Sequence, residues 1–175
     1  MSDWIKAINP TSAITTEAEA ERAARASAIS IFIGVAVGLV SVAWTLANPG
    51  AIAEAAAAAS TTQGDTDAAA AGAAVATQAA IWGGAAMVVI QLILGVVQWR
   101  SPGKFIAILF MVLIALGLAS AAITPLMAGL MPDVPTTPIW QIALSVVILV
   151  VQLVLHAAGL RGISRLDRIQ MEQAR

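Results

Sequence analysis

The chain reads as an all-α membrane protein: four transmembrane helices arranged as two tandem helical hairpins in a parallel repeat, with cytoplasmic amphipathic segments at both termini. Three observations predict this. Of its 175 residues 59% are hydrophobic and only 11% charged, against about 25% charged in soluble domains. Four apolar stretches, 28–47, 79–99, 105–131 and 139–160, contain no Asp, Glu, Lys or Arg, and each meets the ~20 residues needed to cross a ~30 Å hydrocarbon layer. Finally, the stretches resemble one another in pairs. AVGLVSVAWT at 36–45 returns as ALGLASAAIT at 115–124 with six of ten positions identical, and QLILGVVQWR at 91–100 returns as QLVLHAAGLR at 152–161.

Orientation follows from the basic residues. All nine fall in three blocks: Lys6, Arg22 and Arg25; Arg100 and Lys104; Arg161, Arg165, Arg168 and Arg175. Cytoplasmic loops carry the Lys and Arg excess, so both termini and the turn at 100–104 are expected in the cytoplasm. The net charge of −1 matters less than this asymmetry. Reading the first span as a cleaved signal peptide is disfavoured, because the run is longer than a typical h-region and follows Glu17, Glu19 and Glu21.

Taken in order, residues 1–27 form an N-terminal segment. Trp4, Ile5 and Ile8 lie on one side of a helical turn begun by Ser2, a pattern suited to the headgroup level. Pro10 ends it. Thr16 followed by Glu19 is a capping-box signature that predicts a helix running into the first span. The first hairpin occupies 28–99, with an Ala-rich outer loop at 48–78 opened by Asn48-Pro49-Gly50. A capped start at Asp65 predicts that the second helix protrudes beyond the membrane. The turn at 100–104 is short enough to make its flanking helices antiparallel neighbours. The second hairpin occupies 105–160, with Pro125 predicting a kink that Thr124 would relieve, and a Pro-rich outer turn. The tail, 161–175, spaces its arginines for a basic amphipathic helix lying on an anionic leaflet or docking on a partner. Trp44, Trp82, Trp99 and Trp140 sit near span ends, as an aromatic belt requires.

Helices in a bilayer gain little from apolar contact and associate through small residues that let backbones approach. Ser30, Gly34 and Gly38 continue a four-residue ladder from Ala26, and Gly84 and Gly95 mark the second helix. These are the expected helix-packing positions. A candidate polar interior face comprises Gln91 and Gln98 on the second helix and Gln141, Ser145, Gln152 and His156 on the fourth. Buried amides need partners in hydrocarbon, so Gln91 and Gln152 are expected to meet across the pseudo-twofold axis. Gly95, the repeat counterpart of His156, would leave room for the imidazole. Arg100, Lys104, Arg161, Arg165 and Arg168 are the expected membrane-surface cations.

No catalytic residue, cofactor site or metal site emerges. The sole histidine and absence of cysteine cannot complete a haem or zinc site within one chain. The three carboxylates of the outer loop, Glu54, Asp65 and Asp67, fit no EF-hand spacing. No nucleophile is paired with a base, no strand precedes a phosphate loop, and no basic surface suggests nucleic acid. The sequence therefore predicts a non-enzymatic structural or accessory subunit of a bacterial-type inner membrane, partnered by lipid and by its own copies or other membrane subunits. The alternative is a small-solute or proton-linked transporter or channel along the Gln91, Gln152 and His156 face.

Overall fold

A computed structural model describes residues 2–9, 11–48, 50, 66–130 and 138–175. Five helices account for nearly all of them: α1 (Ser2–Ile8), α2 (Glu17–Ala47), α3 (Thr66–Arg100), α4 (Lys104–Leu130) and α5 (Ile139–Gln173). There is no strand among the described residues. Helices α2 to α5 are each long and apolar enough to cross a membrane. The sequence expectations for the loop at 51–65 and the turn at 131–137 lie outside the described residues.

Local chemistry sets the helix starts. Thr16 accepts a hydrogen bond from Glu19 N, while the Glu19 carboxylate accepts from the Thr16 backbone, so α2 begins on a complete capping box. At 35 residues each, α3 and α5 are about 52 Å long, well beyond a ~30 Å hydrocarbon layer. Helix α4 runs through Pro125. The Thr124 hydroxyl donates to Ser120 O, one residue short of the carbonyl that the proline ring leaves unpaired. Along the distal half of α2, Ser41 and Thr45 turn their hydroxyls onto Val37 O and Ser41 O, which satisfies both groups without a second helix.

The helices form an open row in the order α3, α2, α5, α4, in which α2 packs most extensively on α5, then on α3, and α4 packs on α5. The facing pairs fix an antiparallel sense throughout. Ile31 and Phe32 meet Gly95 while Val42 meets Gly84; Ala24 meets Gly162 while Ser30 meets Gln152; His156 meets Phe110 while Leu149 meets Gly117. The turn between α3 and α4 holds their ends together through a bond from Gly103 N to Gln98 Oε1. Beyond it, contrary to the sequence expectation, these two helices do not pack along their lengths. The reason lies in their close-approach residues: α3 spends Gly84 and Gly95 on α2, and α4 spends Ala107 and Gly117 on α5. A twofold relating the hairpins would match the α2–α5 seam with an α4–α3 seam, and only the first is made.

Packing is tightest at the end carrying the basic residues. Ala20, Ala23, Ala24, Ser27, Ala28 and Ile31 of α2 are buried, and Gly159 and Gly162 of α5 bring its backbone against them. A side chain on Gly162 would run into the backbone from Ala20 to Ala24. The tail continues α5 without a break, and its first turns follow α2 back toward Glu17, with Ile163 buried beside Ala24 and Ala107. Helix α1 closes this end. Ile8 packs on Ala26, Leu155 and Ala158, while Trp4 and Ile5 stay exposed.

Candidate functional site

The polar groups of the spans gather along the α2–α5 seam. Ser30 Oγ donates to Gln152 O at 3.1 Å, and Gln152 Nε2 donates back to Ser30 O at 3.2 Å. Each residue thus supplies a side-chain donor to the other's backbone, an exchange suited to hydrocarbon, where an unmade hydrogen bond is expensive. One turn nearer the basic end, Ser27 Oγ lies 2.7 Å from His156 Nδ1. The imidazole is fully buried and stacks on Phe110 of α4, with centroids 5.6 Å apart and planes 16° from parallel. Among the described residues its Nε2 has no hydrogen-bond partner. His156 therefore ties three helices: α5 through its backbone, α2 through Ser27 and α4 through the ring face.

Gln91 and Gln152 both reach Gly34 of α2, from α3 and α5 respectively. A Cβ at Gly34 would sit 3.1 Å from Gln152 Nε2 and 3.4 Å from Gln91 Oε1. Gly34 makes the space into which the two amides point. Among the described residues no hydrogen bond joins them directly. Gln98 is buried with its Oε1 on Gly103 N and, among the described residues, its Nε2 unpartnered. Gln141 and Ser145 are exposed on the distal half of α5, so the six residues do not share one interior face. Helical spacing brings them into line, but among the described residues α5 has neighbours on both flanks only toward its C-terminal half. Gly95 does not face an imidazole; the space is taken by Phe32 and Ile31 of α2, and Phe32 in turn touches Trp99, over which the Arg25 guanidinium lies.

The remaining packing positions fall on α2–α3 contacts. Gly38 faces Val88, and Gly84 faces Val42. Between these helices runs a cleft of about 280 Å³ lined by Gly38, Ser41, Thr45, Gly84 and, at its inner end, Gly34 and Gln91.

The cations divide by environment. Lys104 pairs with Asp167 at 2.7 Å, linking the start of α4 to the tail of α5. Arg161 donates to Ser12 O at 2.7 Å and more loosely to Asn9 O, fastening the segment after α1. Arg100 and Arg168 are exposed and Arg165 is half-buried. At the other end of that segment, Lys6 pairs with Glu19. The Lys6 ammonium, with the Thr15 backbone and hydroxyl, holds the Glu19 carboxyl well below its ordinary value, at about 2. Glu19 stands outside the apolar span 28–47.

Sequence reasoning places Gly159 on the small and polar face of the fourth helix but passes over Ser27, Phe110 and Gly162. A signal is present for two of them: Ala20, Ala24, Ser27 and Ile31 recur at steps of four, three and four, and Gly162 follows Gly159 at the spacing that meets them. For Phe110 there is none, since one apolar residue among many does not announce a ring stack.

Among the described residues no three His, Cys, Asp or Glu side chains gather as metal ligands. The four apolar helices define the class, a multi-pass helical membrane protein. No protein-family model, curated protein or solved structure matches the chain.

Proposed function

We propose that this chain is a non-enzymatic structural or accessory subunit of a bacterial inner membrane, with both termini cytoplasmic, that self-associates or joins a larger membrane complex. The observation that carries this reading is the open row. Among the described residues each outer helix, α3 and α4, packs along its length on one helix, and no described helix fills the space between them beyond their shared turn. A Cβ at Gly83 of α3 would meet nothing within 4 Å among the described residues, so backbone approach by a further helix is sterically free there. The polar groups of the α2–α5 seam serve cohesion: Ser30 with Gln152 and Ser27 with His156 join helices.

A second reading is a small-solute or proton-linked pathway past Gln91, Gln152 and His156. The cleft between α2 and α3 favours it, since polar Ser41, Thr45 and Gln91 line it. Against it, Gln152 and His156 lie beyond its inner end and are buried.

Flux through proteoliposomes separates the two. The subunit reading expects no flux above empty liposomes between pH 5 and 8, and His156→Gln is then a stability variant, losing about 1 kcal/mol with the Phe110 stack and the altered Ser27 bond. A flux that varies with pH in the native chain and loses that dependence in His156→Gln would replace the subunit reading with the pathway.

A further inference from the structure

The basic face of the α5 tail borders a cleft whose walls change character along its length. It encloses about 530 Å³, within the usual range for ligand pockets. Its inner wall is apolar: Met111 of α4 with Ala157 and Leu160 of α5. Its outer wall is cationic, formed by Arg161, Arg165 and Arg168, while Ile14 of the segment after α1 closes one side. Steps of four and three put the three arginines on one helical face. Ala157 and Arg168 are eleven residues apart, about 17 Å along the axis, so the cleft passes from the apolar span into the zone where it ends.

Charge in the cleft is unbalanced. Among the described residues no acidic side chain lines it, and the nearest carboxylate along the tail, Asp167, is engaged by Lys104. Arg161 spends its guanidinium on Ser12 and Asn9 carbonyls, which fixes the rim in place but leaves its positive charge unneutralised. Arg165 and Arg168 are in no ion pair among the described residues. Cationic side chains bind phosphate through charge-assisted hydrogen bonds, and a basic hollow between transmembrane helices at the membrane boundary suits a lipid headgroup.

We propose that this cleft is a binding site for one anionic phospholipid, its phosphate held by Arg165 and Arg168 and the upper part of its acyl chains lying along Met111, Ala157 and Leu160. A lipid is the occupant that uses both walls. A free phosphate would leave the apolar half unfilled, and a neutral lipid would leave the arginines uncompensated. The site does not depend on the subunit reading, since a transporter would present the same cleft.

Native mass spectrometry of the whole chain tests it, after release from mild detergent supplemented with equal phosphatidylglycerol and phosphatidylcholine. The expected result is one retained phosphatidylglycerol, favoured about tenfold over phosphatidylcholine. Arg165→Gln with Arg168→Gln removes the preference. Arg100→Gln, an exposed cation outside the cleft, keeps it, and the lysine pair Arg165→Lys with Arg168→Lys keeps most of it, which separates lost charge from lost structure. Millimolar inorganic phosphate leaves the retained lipid in place. The proposal is overturned by equal retention of the two lipids, by an unchanged preference in the glutamine pair, by an equal loss in Arg100→Gln or in the lysine pair, or by displacement with inorganic phosphate.

Discussion

Gly162 of α5 lies directly against the backbone of Ala24 of α2, with no side chain between the two helices. The contact falls at the end where α2 and α5 run on together past the apolar spans, and it sets how closely they approach. Packing of this kind depends on shape alone. An added Cβ meets the main chain, which cannot rotate aside as a side chain can.

Gly162→Val is therefore expected to cost about 1–3 kcal/mol and to shift the unfolding transition in mild detergent. Gly83→Ala, where a Cβ meets nothing within 4 Å, serves as the comparison. There the reduced freedom of the unfolded chain predicts unchanged or slightly raised stability. Equal losses in the two variants would show that the α2–α5 seam is looser than described.

The attachment of α1 is expected to fail in acid. Lys6 and Thr15 hold the Glu19 carboxyl at about 2, below its ordinary 4.5. A carboxylate with a lowered value in the folded state stabilises fully above its unfolded value and loses that contribution as pH falls toward the folded one. Protection of the α1 amides in hydrogen exchange should thus be constant from pH 7 to 5 and decline from about 4.5 toward 2. Glu19→Gln should show weaker protection at neutral pH and little further change in acid. A native chain whose α1 protection is independent of pH across that window would remove Glu19 from the attachment.

Much of the architecture was legible because bilayer crossing imposes a length and an apolar composition that few other structures share. Four spans and the capping box at Thr16 and Glu19 could be read residue by residue. Neighbour order was less legible. A five-residue turn fixes where two helix ends meet, but the glycines decide which flanks close, and Gly84 and Gly95 turned α3 toward α2. The polar residues show the same limit. Period alone put Gln141 and Ser145 in line with Gln152, yet burial depends on what stands opposite, and opposite the distal half of α5 little does. Ser27 was missed since a serine among alanines is ordinary in a helix until its partner, His156, is in place.

Sidedness rests on the basic blocks and has a direct chemical test. Single cysteines at Ser60 and Thr136 should react with an impermeant thiol reagent in intact cells, and one at Ser101 should not, because the chain has no native cysteine to confuse the label. Labelling at Ser101 alone would invert the orientation.

The central claim is that the open row of helices is completed by protein. Its most direct test is the mass of the particle extracted in mild detergent, measured by light scattering with the detergent contribution subtracted. The account predicts a protein mass well above the 17.9 kDa of one chain, as a homo-oligomer or a complex of defined composition, and predicts that Gly83→Leu lowers it by setting a bulky side chain on the free face of α3. A particle of 17.9 kDa under conditions that preserve the fold would contradict it, as that would leave α3 and α4 with lipid as their only outer neighbour.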